Sequence, residues 1–228
     1  MSDLHLKNLT RHTPDLRERK ILDLGSGRGG VLLSATEAGY DIIGLEYSKP
    51  HITEALRRGK ERGISLNVIQ GRGEDMPFSD HSFGFINMAQ VIEHVESPIE
   101  VMKEADRVLA PGGIIYVSVP SRFSMRDPHF HIYGVNLLPR SWSDAYISLF
   151  RKHKDYSDAS AGAQRLSEMH YYRYGAIKRI FHEMGFSVQD IRAERIRKKF
   201  PLFSWITVPL FRLIQPLAFG SFHFLLKK

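Results

Sequence analysis

The stretch Lys20 to Gly30, K-I-L-D-L-G-S-G-R-G-G, limits what this chain can fold into more than any other. Ile21, Leu22 and Leu24 give a buried-strand signal that runs straight into Gly25, Gly27, Gly29 and Gly30. An apolar helical pattern (Val31, Leu32, Leu33, Ala35, Ala38) begins at once. Strand, glycine-rich turn and helix in this order make a corner for a nucleotide-like ligand. Glycines let the backbone approach the ligand closely, and the helix N-terminus offers unpaired N–H groups.

The residues that follow keep the same rhythm. A second strand is predicted over Asp41–Leu45, ending at Glu46, and a helix from a Ser48 cap, with Pro50 in its first turn, to Arg62. Strands three and four are predicted at Leu66–Gln70 and Phe83–Met88, and a helix at Pro98–Leu109. A-P-G-G then turns the chain into strand five, I-I-Y-V-S-V-P. Strands alternating with helices predict a parallel, doubly wound α/β sheet. After Pro120 the rhythm breaks for an insertion over 121–172, rich in His, Arg, Tyr and Ser. It resumes with a helix at Tyr174–Met184 and a sixth strand over F-S-V-Q-D-I-R-A-E-R. The closing S-F-H-F-L-L-K-K reads as a seventh strand. Length fits one domain over 1–228, with 1–19 as a short lead-in.

Cysteine is absent, which excludes disulfides, thiolate metal sites and a cysteine nucleophile. The opening residues hold no apolar run of signal-peptide length, so a cytoplasmic location is expected, with membrane association as the alternative. Net charge is +7, and the excess gathers at Arg151-Lys152-His153-Lys154 and over Arg192–Lys199. Such clusters serve either as solvated faces or as contacts for anionic partners.

Gly25, Gly27 and Gly30 match the dinucleotide pattern G-x-G-x-x-G, with Glu46 near the ribose distance. An NAD(P)-dependent oxidoreductase is therefore one reading. Three features point elsewhere. Asp23 puts a carboxylate inside strand one, costly to bury without a partner such as a cationic amine. Gly29 extends the run to D-x-G-x-G-x-G, and V-L-A-P-G-G precedes strand five. With L-E closing strand two, E-D-M-P-F-S-D-x-S-F and V-I-E-H-V, the chain resembles the class I S-adenosylmethionine-dependent methyltransferases, in the branch of ubiquinone-biosynthesis and related small-molecule enzymes.

That resemblance is strong over Lys20–Pro120 and implies a Rossmann-like seven-stranded sheet of order 3-2-1-4-5-7-6 with the last strand antiparallel. It implies S-adenosyl-L-methionine as cofactor. Asp23 would hold the methionine end, Gly25, Ser26 and Gly27 the turn facing the cofactor, and Glu46 both ribose hydroxyls. Tyr47 would pack on the adenine, and Gly73, Glu74 and Met76 would line it. Gln90 joins the cofactor set just past strand four. Arg72 stands where relatives commonly have an aspartate and is expected to point to solvent.

Methyl transfer needs a base only when the acceptor must lose a proton. His94 is the first candidate, with His129 and His131 in the insertion as others. Quinone-related relatives bind a divalent metal through E-x-x-E-H. Here Gln90 replaces the first acid, so Gln90, Glu93 and His94 remain only a weak metal alternative, and no metal is expected. A hydrogen-bonded turn explains Glu93 and His94 equally well. The insertion's rings, among them Tyr133, Trp142, Tyr146 and Tyr171, are expected to shape the acceptor pocket.

The segment 200–219 is nearly continuous apolar sequence, but Pro201, Pro209, Arg212 and Pro216 interrupt it and a seventh strand must follow. It reads as a helical insertion between strands six and seven. A packing element, a homodimer contact and a membrane-surface contact are its alternatives. The function expected is methyl transfer to a small or lipid-linked acceptor, more often an oxygen, with nucleic acid disfavoured as partner. A non-catalytic cofactor-binding subunit is the reading from another class.

Overall fold

The computed structural model describes residues 6, 9–151 and 164–228. Lys152, His153 and Lys154 of the first basic cluster lie outside the described residues. Seven strands form one mixed sheet of order β3-β2-β1-β4-β5-β7-β6. They are β1 (Ile21–Leu24), β2 (Ile42–Glu46), β3 (Val68–Gln70), β4 (Phe83–Ala89), β5 (Leu109–Pro120), β6 (Ser187–Asp190) and β7 (Ser221–Lys227). The helices include α1 (Gly30–Glu37), α2 (Lys49–Glu61), α3 (Pro98–Val108), α4 (Arg140–Leu149), α5 (Tyr174–Glu183), α6 (Ile191–Lys199) and α7 (Ser204–Ala218). Two compact units emerge, residues 1–116 with 227–228, and residues 117–226.

In the first unit β1 runs parallel between β2 and β4, with Asp23 level with Gly44 on one side and Asn87 on the other. All four β1 residues are buried, as a central parallel strand requires. Leu32, Leu33 and Ala35 of α1 are also buried. Ser48 sits at the N-cap of α2, but its hydroxyl makes no capping bond. The backbone N–H of Ser48 instead donates to Glu46 Oε1 at 2.8 Å.

The second unit contains the insertion and the chain's end. Phe130, Ile132, Val135, Ile147, Leu166 and Met169 form its own apolar cluster, with Tyr146 and Tyr171 packed against it. The sixth strand is shorter than its sequence pattern. It stops at Asp190, whose carboxylate accepts the N–H groups of Arg192 and Ala193, both at 2.9 Å, and so starts α6. The segment expected as one apolar insertion is thus preceded by a basic helix, and α6 packs against α7. Ser121 Oγ donates to the Pro216 carbonyl at 2.8 Å and Met125 N–H to the Leu217 carbonyl at 3.0 Å, tying the end of α7 to this unit.

Candidate active site

The glycine corner lies at the carboxyl end of β1. Gly25 has φ +67°, and a Cβ there would come within 2.7 Å of Val91 Cγ2. No other residue fits that position without moving Val91. Gly27 also has positive φ (+53°), yet a Cβ there would meet only the Gly25 carbonyl, at 3.9 Å. The backbone conformation calls for glycine at Gly27, and the space before it is open.

Glu46, buried at the end of β2, ties the corner together. Its Oε2 accepts the Gly27 N–H and its Oε1 the Ser48 N–H, each at 2.8 Å. An ionised carboxylate has about four acceptor positions, so among the described residues these two donors leave capacity for further hydroxyls. Ser26 is buried beside Gly44, where a Cβ would lie 2.8 Å from Ser26 Oγ. Gly44 is a site residue the sequence reading missed, although a glycine inside the strand pattern D-I-I-G-L signalled a close approach.

Asp23 is buried, and Asn87 Nδ2 donates to its Oδ1 at 2.6 Å. Burial pushes its carboxyl up to about 7; the Asn87 bond pulls it down, and the nearby Glu46 charge pushes it further up. A cation placed against Asp23 would restore its charge. Asn87 was also missed. Its signal was a polar residue in the otherwise apolar β4 run F-G-F-I-N-M.

Tyr47 is 61% exposed, with the Arg72 guanidinium 5.7 Å from its ring centre. Arg72 is not simply directed to solvent. Its Nη2 donates to Glu96 Oε2 at 2.7 Å, and its Nε lies 3.6 Å from Glu74 Oε2. The Glu74 carboxylate accepts the N–H groups of Glu96 (3.0 Å) and Ser97 (3.4 Å). Met76 is buried, its N–H held by Glu104 Oε2 at 2.8 Å. A Cβ on Gly73 would press on Val101 at 3.2 Å.

Past β4 the chain turns sharply. Gln90 takes the left-handed conformation (φ +59°), the His94 N–H bonds the Val91 carbonyl at 2.9 Å, and Glu93 is fully buried. His129 and His131 belong to the second unit. His129 is buried with its ring 6.0 Å from that of Tyr171, and His131 has φ +57°. Both lie on a turn built by Asp127, a residue the sequence reading did not single out. Its Oδ1 accepts from His129 N–H (2.9 Å) and Phe130 N–H (2.7 Å), its Oδ2 from Asn136 Nδ2 (3.0 Å) and the Tyr171 hydroxyl (2.8 Å). Of the rings expected in an acceptor pocket, Tyr146 and Tyr171 pack on the unit's core, whereas Tyr133 and Trp142 are exposed.

Residues 22–117 match a family model described as a methyltransferase domain. The chain is 26% identical over 149 residues to the ubiquinone biosynthesis O-methyltransferase of Aliivibrio fischeri, covering 63% of each chain. It is 28% identical over 174 residues to the demethylmenaquinone methyltransferase of Bacillus velezensis, covering 73% of this chain and 70% of that one. The alignment thus spans under two thirds of the first of these relatives. A crystal structure of a SAM-dependent methyltransferase from Archaeoglobus fulgidus superposes with a TM-score of 0.59 at 15% identity, over 100% of this chain and 95% of that one. The cofactor these relationships indicate is S-adenosylmethionine, and the open face at Gly27, the spare acceptor capacity of Glu46 and the cation-seeking Asp23 fit it. In its 22–117 core and its strand order, the chain is similar to the class I S-adenosylmethionine-dependent methyltransferases.

Proposed function

We propose that this protein transfers a methyl group to an oxygen of a small or lipid-linked acceptor of the quinone-biosynthesis kind. The observation that carries the reading is Glu46, fixed by two backbone N–H groups and left with acceptor capacity beside the open face of Gly27. The names of the curated relatives support the acceptor class. S-adenosylmethionine, when bound, supplies an electrophilic methyl on a sulfonium sulfur. What this chain must add is alignment, exclusion of water and removal of a proton.

Glu46 is assigned to the ribose hydroxyls and Asp23 to the amine of the methionine end. Gly25, Ser26 and Gly27 give the backbone wall; Tyr47, Gly73, Glu74, Met76 and Gln90 flank the rest of the cofactor. With its Oε1 engaged by the N–H groups of Glu96 and Ser97 and its Oε2 3.6 Å from Arg72 Nε, Glu74 is assigned to shaping the adenine loop. A hydroxyl acceptor must lose its proton, and His94, His129 and His131 are the imidazoles assigned as candidate bases. No step needs a metal at Gln90, Glu93 and His94.

Calorimetry with S-adenosylmethionine, its demethylated product and NAD tests the cofactor half. Binding of NAD alone overturns the reading. Cell extract incubated with methyl-labelled cofactor tests the transfer half, with label appearing in an extractable acceptor for the wild type and not for Glu46→Ala. Tight cofactor binding with no transfer to any extract would favour a non-catalytic subunit.

A further inference from the structure

Helix α7 is amphipathic the wrong way round for a packed helix. Val208 and Gln215, seven residues apart, are buried on one face. Phe203, Ile206, Leu210, Leu213, Ile214 and Leu217 are exposed, at spacings that place them in one stripe roughly 100° wide on the opposite face. Leu213 is 75% exposed. An apolar stripe of this size on a soluble face marks a partner.

Charge indicates which partner. Glu194 is the single acidic residue between Ile191 and Phe219, and it is paired with Lys198 at 2.8 Å. Arg195, Arg197, Lys198 and Lys199 are exposed on α6, and Lys199 lies 5.4 Å from the Phe200 ring where the apolar segment starts. Arg212 does not interrupt the stripe, because its helical position falls near the face of Val208 and Gln215. The surface is therefore an apolar strip flanked by cations. The same face of a second copy would bring the same cations and, as its one acid, a Glu194 already paired with Lys198, whereas anionic lipid headgroups supply the missing charge. The fifteen residues of α7 span about 22 Å, short of a hydrocarbon core of about 30 Å. No helix among the described residues is long and apolar enough to cross a membrane.

We propose that α7 lies in the interface of an anionic membrane, its Phe203–Leu217 stripe among the acyl chains and the α6 cations against the headgroups. This surface is independent of the cofactor corner and goes beyond the methyl-transfer reading.

The test is co-sedimentation of the full chain with phosphatidylcholine vesicles, pure or containing about 30% phosphatidylglycerol. Wild type is expected to pellet with the anionic vesicles and to be released by salt. Both Leu213→Glu and Ile206→Glu should weaken binding at least about tenfold. Both positions are exposed, so the melting temperature and the affinity for S-adenosylmethionine should stay unchanged. Replacing Arg195 and Arg197 by alanine should cost about fivefold per cation. Failure of the wild type to bind anionic vesicles at low salt overturns the proposal. So does a wild-type dimer that Leu213→Glu splits into monomers, which would give the stripe to a second copy.

Discussion

The cofactor corner and the insertion are each built around buried carboxylates, and the difference lies in how many donors those carboxylates have. Asp127 accepts four hydrogen bonds, two from backbone N–H groups and two from the side chains of Asn136 and Tyr171. Its acceptor positions are full, so it holds a loop in shape and has little left for a ligand. Among the described residues Glu46 accepts two hydrogen bonds, with His51 Nδ1 3.6 Å from its Oε1, and Asp23 accepts one. Those two retain capacity. A buried carboxylate with its bonds filled is scaffold, and one with bonds to spare is placed for something that arrives later.

The largest effect that could break this contrast is expected at Glu46. Glu46→Ala removes its backbone anchors and the bonds proposed for the two ribose hydroxyls, and should weaken S-adenosylmethionine binding by about a thousandfold, roughly 4 kcal/mol. Calorimetry reads this directly. Undiminished affinity would mean that the spare capacity of Glu46 is not used by the cofactor.

Next in size is Asp127→Ala, which removes four hydrogen bonds from the second unit. It should destabilise the fold by about 3 kcal/mol, measured by denaturant unfolding. Cofactor affinity of the protein that remains folded should be nearly wild type. A variant of normal stability that lost affinity would make Asp127 a ligand-binding group and erase the contrast.

Asp23 comes third, and its signature is pH. Its carboxyl is raised from 3.8 to about 7 by burial, so the folded state holds a proton that the unfolded state releases. Its contribution to the stability of the ligand-free protein is fully present below about 4 and is lost as pH rises through about 7. Binding of a cationic amine favours the ionised form, so affinity for S-adenosylmethionine should climb as pH passes through about 7. Asp23→Asn should lower affinity about tenfold at pH 8 and flatten that climb, since the amide does not titrate. A climb that persists in Asp23→Asn would assign it to another group.

The smallest effect is expected at Arg72, whose partners are exposed. Arg72→Ala should change stability by less than about 0.5 kcal/mol and affinity by less than about twofold. A larger loss of affinity would show that its stacking on Tyr47 helps to hold the adenine.

Much of the first unit could be read directly. The run I-L-D-L followed by spaced glycines specifies strand, turn and helix from neighbours in sequence, and the predicted ends of β1, α2 and α3 differ from the observed ones by a residue or so. Strand six was overestimated because F-S-V-Q-D-I-R-A-E-R carries an apolar pattern that both a strand and a short helix can use. The Asp190 cap decided between them. Ser48 takes the N-cap position expected of it, but its hydroxyl makes no capping bond.

The amino-acid sequence by itself determined the glycine corner, the alternation of strands and helices, and the identity of Asp23 and Glu46 as carboxylates in unusual places. Each of these is a local pattern, fixed by φ preferences and by side-chain period over a few residues. Only the tertiary structure decided that Asn87, 64 residues away, would hold Asp23 across neighbouring strands. The same is true of the four donors that close on Asp127 and of the stripe of α7 left uncovered while Val208 and Gln215 face inward. Such pairings depend on register and on which face a helix turns to its neighbours. Both are settled by long-range packing rather than by the residues that display them.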